Sequence, residues 1–139
     1  MPPPNHHVEA LCCVPVTSVD DILAARQQGR ALAERLGFSP GDATVIATAI
    51  SELARNIVQY ASKGEILLRS ARNGVRHGIV VIASDHGPGI DDVKQLLSGR
   101  STSGGLGLGL PGVRRIVDDF QIVSERSLGT TVTVTKWKD

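Results

Sequence analysis

Apolar residues recur along this chain with two periods. Ile22, Ala25, Gly29, Leu32 and Leu36 follow at spacings of three and four, one face of a helix. Ser18-Val19-Asp20-Asp21 ahead of them has the form of a capping box with Asp in place of Glu, and Gly37 closes the segment. Ser39-Pro40-Gly41-Asp42 opens a second helix, with Ser39 as N-cap and Pro40 at the first helical position. It runs to about Tyr60 and buries Ile46, Ala49, Ile50, Leu53 and Ile57. Elsewhere the runs are short and partly β-branched. Val8 to Val16, closed by Pro15, reads as an edge strand. Glu65 to Ala71 is a strand, Asn73-Gly74 in the loop 72–78 marks a hairpin turn, and the nearly all-apolar Gly78 to Ser84 is a central strand. Asp91 to Ser98 reads as a short helix. Leu110 to Phe120 reads as a longer one, with Val113, Ile116, Val117 and Phe120 inward. Residues 121–125 and 130–137 are strands around a Ser127-Leu128-Gly129 turn. Between the last two helices, Gly99 to Gly109 is glycine-rich and carries Ser101-Thr102-Ser103, which predicts a mobile functional loop. The order β-α-α-β-β-α-α-β-β implies an α/β fold. It is a two-layer sandwich: a mixed, largely antiparallel sheet with helices on one face.

Composition narrows the function classes. At 139 residues the expectation is a disordered tail over residues 1–7 and a single domain over 8–139. With 41% apolar but only 3% aromatic residues, the core must be built from Val, Ile, Leu and Ala. A net charge of +1, from 15 basic and 14 acidic side chains, gives no basic surface for nucleic acid. No apolar run approaches the ~20 residues of a membrane span. Met1 to His7 lacks the basic start and apolar core of a signal peptide, so the expected location is cytoplasmic. Cys12 and Cys13 are adjacent and alone, which makes no disulfide framework. With His6 and His7 they match no standard zinc spacing.

Three segments carry candidate chemistry. Glu52 and Asn56 lie four apart on the second helix, stacked on a stripe beside the apolar one, at a core boundary. A carboxamide oxygen suits Mg²⁺ that also binds phosphates, and a carboxylate one turn away can take a proton from an alcohol. The plainer alternative is a solvated polar stripe. Asp85 ends the central strand and can accept a hydrogen bond from an exocyclic amine, with Gly87 and Gly89 letting a flat ring approach. The alternative there is an ordinary turn leading into a helix. In Gly104 to Gly109, successive backbone N–H groups and the following helix start can form an anion-binding concavity. It is not a P-loop, since no Gly-Lys-Ser/Thr follows, and its alternative is a glycine-rich linker.

Taken together, the segments resemble the GHKL, or Bergerat-fold, ATPases over about residues 17–137. Glu52-x-x-x-Asn56 is similar to their N box and Asp85-x-Gly87-x-Gly89 to the first glycine box. Gly105-x-Gly107-x-Gly109 is similar to the second, and Gly129-Thr130 to the third. Within the family, Ala49 to Ile57, Ser101 to Val113 and Lys136-Trp137 resemble the RsbT-type switch-protein serine kinases of bacterial partner-switching modules. The resemblance implies ATP and Mg²⁺ as cofactors. Asp85 would bind the adenine amino group beside Gly87, Gly89 and Thr130, and Gly105, Gly107 and Gly109 would wrap the phosphates. Asn56 would hold Mg²⁺, and Glu52 would be the general base on a protein serine. It also implies a STAS-domain protein substrate and a regulatory phosphatase as a second partner. The alternatives are an anti-sigma factor kinase that sequesters a sigma factor, and a nucleotide-binding module without turnover. His86 sits where the first glycine box tolerates many residues, and the Pro- and His-bearing N-terminus has no counterpart in the family pattern.

Overall fold

The computed structural model describes residues 6–90, 93, 97 and 109–138, the side chains of residues 6–10 excepted. Five strands form one sheet: β1 (His6–Val16), β2 (Gly64–Asn73), β3 (Arg76–Asp85), β4 (Asp119–Glu125) and β5 (Gly129–Trp137). Among the described residues, three helices with defined bounds accompany it: α1 (Asp20–Arg35), α2 (Pro40–Ala61) and α3 (Gly109–Ile116). The strand order is β1-β2-β3-β5-β4, and every neighbouring pair is antiparallel. The α/β sandwich with a largely antiparallel sheet is therefore observed, with β1 at the expected edge and β3 in the centre.

Side-chain alternation decides which face is buried. Ile66 and Leu68 of β2, Ile79, Val81 and Ala83 of β3, and Val132 and Val134 of β5 are all at most 4% exposed and share one face. Helix α2 lies on that face and buries Ile46, Ala49, Ile50, Leu53 and Ile57, the five positions its period predicts. Its start follows the sequence as well. Ser39 Oγ accepts from the Asp42 N–H at 3.1 Å, which satisfies one of the free donors of the first turn. Helix α1 packs against α2 closely enough that a Cβ on Gly29 would collide with Ile50 Cδ1.

Four local readings need correction. Ser18 caps nothing; α1 begins after Val19 without a side-chain cap. Asp21 reaches back to Thr17 instead, accepting from its backbone N–H at 2.8 Å and its hydroxyl at 3.0 Å. These donors hold the Asp21 carboxyl below its usual range. Strand β1 starts at His6, two residues before the expected Val8, and carries a bulge at Leu11. The β2–β3 hairpin is tighter than a seven-residue loop: Asn73 pairs with Arg76 around Gly74-Val75. Finally, the helix expected to reach Phe120 stops at Ile116. The sheet takes over there. The Asp118 N–H donates to the Thr135 carbonyl at 3.0 Å, and Asp118 Oδ2 accepts from the Trp137 N–H at 2.6 Å. Phe120 and Ile122 then face the core from β4. The helix expected over 91–98 and the loop over 99–108 fall almost wholly outside the described residues.

Cys12 and Cys13 point to opposite sides of β1. Cys12 Sγ donates to Gln28 Oε1 at 3.1 Å and Cys13 Sγ to Glu65 Oε2 at 3.3 Å, so they do not converge on a metal. Desolvation, then the Glu65 carboxylate, raises the Cys13 thiol above its ordinary range. Among the described residues, no helix is long and apolar enough to cross a membrane.

Candidate active site

One end of the sheet collects most of the expected residues. Asp85 is the last residue of β3 and falls on the same face as Ile79, Val81 and Ala83, so alternation alone turns its carboxylate toward the helices. It is 7% exposed. Its Oδ1 accepts from the Gly87 N–H at 2.9 Å and from the Thr130 N–H at 3.3 Å. Two backbone donors thus fix one oxygen and compensate its burial. Among the described residues no hydrogen bond is made to Oδ2. Thr130 is the sheet partner of Asp85 and is 5% exposed.

Helix α2 closes over this end. At Gly64, the other sheet partner of Asp85, a Cβ would stand 2.9 Å from Ile57 Cγ2 and 3.1 Å from Asp85 Cβ. The turn after β3 is equally tight. A Cβ at Gly87 would lie 2.6 Å from Ala61 Cβ, at the end of α2, and one at Gly89 would collide with the Glu125 carbonyl. Gly89 also has φ +84°, where L side chains are strained. Protein atoms fill the space beside both glycines, so the packing of the turn itself demands them.

Glu52 and Asn56 sit where the stripe beside the apolar face predicts. Glu52 is 8% exposed, a deeper position than a core boundary, and Asn56 is half-buried. Glu52 Oε2 accepts from the Gly109 N–H at 3.2 Å. Gly109 begins α3, so the carboxylate occupies the positive end of that helix. The structure thus joins Glu52 to the last glycine of the third candidate segment, 57 residues away. Gly105 and Gly107 lie outside the described residues.

Two contributors escaped the sequence reading. Gly64, just ahead of the expected strand, makes room for Asp85 against α2. Ser124 accepts from the Ile90 N–H at 2.7 Å and lies 2.8 Å from Thr130 Oγ1. Its signal was present: Phe120, Ile122 and Ser124 alternate, which puts a hydroxyl on the inner face at the end of a strand.

Buried carboxylates at two points, backbone donors at a helix start and a half-buried carboxamide suit a ligand with an amine at one end and anionic groups at the other. A model of the histidine kinase-like ATPase domain matches residues 17–136. The chain belongs to this family. Among the described residues, the match takes in every helix and strand except β1 and the last residue of β5. Among relatives, the chain is 48% identical over 126 residues to the serine/threonine-protein kinase RsbT of Bacillus subtilis (strain 168), covering 90% of this chain and 95% of that protein. The resemblance to RsbT-type kinases within the histidine kinase-like ATPases thus extends along nearly the whole of both chains. Among solved structures, a Mycobacterium tuberculosis protein with RsbU and RsbW domains superposes with a TM-score of 0.59 at 21% identity, over 93% of this chain. This chain spans 34% of that one, and the likeness is one of fold.

Proposed function

We propose that this serine/threonine kinase transfers the γ-phosphoryl group of ATP to a serine hydroxyl on a STAS-domain protein of a bacterial partner-switching module, and that it also engages and activates a regulatory phosphatase. The observation that carries the reading is the Glu52 carboxylate, buried and hydrogen-bonded at the start of α3. It lies on the helix whose far end closes over Asp85. The 48% identical RsbT supports the serine/threonine kinase activity.

In this reading Asp85 Oδ2 accepts from the adenine amine, while Oδ1 stays with the turn. Thr130, Gly87 and Gly89 complete that pocket. Gly105, Gly107 and Gly109 wrap the phosphates at the start of α3, a use that fits a helix start, with the Gly109 N–H, which donates to Glu52 here, released to the phosphates when nucleotide binds. Glu52 accepts the proton of the attacking serine. Its burial keeps bulk water from that position, and the α3 start holds it in place before substrate arrives. Positioning and charge stabilisation supply most of the rate in phosphoryl transfer, so the worth of these groups lies in being fixed.

Mg²⁺ fits this donor set in a limited way. Among the described residues no three acidic, His or Cys side chains cluster to cage a cation. The protein's share would be the Asn56 carboxamide oxygen, half-buried one turn from Glu52, with phosphates and water completing the shell as Mg²⁺ prefers. When bound, the ion supplies neutralisation of the phosphate charge.

The test is to incubate the protein with labelled ATP and candidate STAS-domain proteins. Phosphoserine on a STAS protein, lost when its acceptor serine becomes Ala, supports the reading. Label on no STAS protein, or stable capture of a sigma factor with no STAS phosphorylation, overturns it.

A further inference from the structure

Ser124 sits at the centre of a chain of hydrogen bonds. It is half-buried on β4, opposite Thr130 in the β4–β5 pairing. The Ile90 N–H, just past the Gly87–Gly89 turn, donates to its Oγ at 2.7 Å. An amide N–H can only donate, so this bond uses a lone pair of Ser124 and leaves its single proton to be placed. Two acceptors are within reach. Thr130 Oγ1 is at 2.8 Å and the Gly129 carbonyl at 3.4 Å. The shorter distance is the normal one for a hydroxyl pair, and the longer is at the limit. With the Ser124 proton on Thr130 Oγ1, the proton of Thr130 is turned away from Ser124. Thr130 then becomes a donor standing beside Asp85, whose side chain, when ionised, can only accept.

We propose that Ser124 is a positioning residue that fixes Thr130 as a hydrogen-bond donor beside the acceptor Asp85, and so makes the pocket read adenine. The proposal rests on the assignment of Asp85 and Thr130 to the adenine ring. The Watson–Crick edge of adenine offers the complementary order: an amine donor at N6 and an acceptor at N1. Guanine offers the reverse, a carbonyl oxygen against Asp85 and an N1–H against the Thr130 proton. In this assignment the protons run one way, from the Ile90 amide through Ser124 and Thr130 to ring N1. One bridging water between Thr130 and the ring would preserve that direction. The amide occupies one lone pair of Ser124, and the Ser124 proton is placed on Thr130 Oγ1, the nearer of its two acceptors, rather than on the Gly129 carbonyl, which would reverse the Thr130 bond. A site whose polar groups are matched in this way rejects a ligand that leaves one unpaired.

The test pairs a residue change with a ligand change. Affinities for ATP and for 1-deaza-ATP, which carries C–H in place of N1, are measured by calorimetry on the wild-type chain, Ser124→Ala, Ser124→Thr and Thr130→Val. The wild type should prefer ATP by roughly 2- to 10-fold, the worth of one neutral hydrogen bond. Ser124→Ala and Thr130→Val should bind both nucleotides equally, near the wild-type affinity for 1-deaza-ATP. Ser124→Thr should keep the preference, and the double variant S124A/T130V should lose no more discrimination than either single one. A merely structural role for Ser124 predicts that both nucleotides weaken in parallel with the preference intact, which would overturn the proposal. So would a wild-type chain that does not distinguish the two ligands. Asp85→Asn is the separate control. If it leaves ATP affinity unchanged, the adenine assignment itself fails and the proposal with it. If it weakens ATP while S124A leaves discrimination unaltered, the relay alone is wrong.

Discussion

Changing Asp85 to Asn is nearly isosteric, and the structure says which way the new amide must point. Oδ1 receives two backbone N–H groups, from Gly87 at 2.9 Å and Thr130 at 3.3 Å. An Asn can keep both only by leaving its carbonyl oxygen in that position. Its NH₂ then stands where Oδ2 was and, in the proposed reading, faces the adenine amine, donor against donor. The loss comprises a charge-assisted hydrogen bond, about 1.5–3 kcal/mol, before any penalty for the mismatch. That corresponds to ATP affinity weaker by roughly 10- to 150-fold. Because the turn keeps both of its bonds, the melting temperature should change far less than the affinity. Calorimetric titration with Mg-ATP, alongside thermal melts of the same preparations, checks both halves. An Asp85→Asn protein that binds ATP as tightly as wild type would refute the adenine assignment. One that loses ATP only because it no longer folds would refute the account of the turn.

Glu52→Ala should leave nucleotide affinity near wild type and cut phosphotransfer by roughly 10²–10⁴, measured by single-turnover kinetics on the phosphorylated partner. Asn56→Ala should weaken Mg-ATP binding as well, and full activity in both would leave only the fold standing. Gly29→Ala should destabilise on its own: overpacking costs about 1–3 kcal/mol, partly offset by about 1 kcal/mol of helix propensity. In an Ile50→Val background, which lacks the Cδ1 methyl that a new Cβ would strike, the same change should become neutral or stabilising in denaturant melts. The folded-state pKa of Asp21 is lowered, so its contribution is present above the unfolded-state pKa and lost as pH falls through the folded one. Asp21→Asn should therefore lower the melting temperature at pH 7 and make no difference near pH 2.

The helical part of the site was legible because helix spacing is local. Residues four apart must stack on one stripe, so Glu52 and Asn56 were placed beside Ile46, Ile50, Leu53 and Ile57 before any contact was known. The Ser39 cap and Pro40 were equally local. The β4 boundary was not. Val113, Ile116, Val117 and Phe120 continue a helical spacing, and only pairing with Thr135 and Trp137, far along the chain, decides for strand. Thr17 rather than Ser18 answers Asp21 for a similar reason: both are hydroxyl residues, and the path of the chain into α1 chooses between them. The partnership of Glu52 with Gly109 was invisible, since nothing in either segment names the other. Ser124 alternates with Ile122 on the expected strand 121–125, which places both on one face. Its role depends on the Ile90 amide, which only the sheet order brings near.

The row Gly64, Asp85, Thr130 and Ser124 runs straight across four strands. Each member faces inward only because the count of residues along its strand has the right parity. Substitutions along these strands change one side chain, but a single inserted or deleted residue would turn every residue beyond it to the other side. A protein descending with modification from this one is thus free to vary the letters of β2, β3 and β5 and hardly at all their lengths. Changes of length in pairs, at the Gly74-Val75 turn remote from the row, preserve the parity. Insertion scanning read out by nucleotide binding should show that pattern: one residue lethal to the site within β3, two at the turn tolerated.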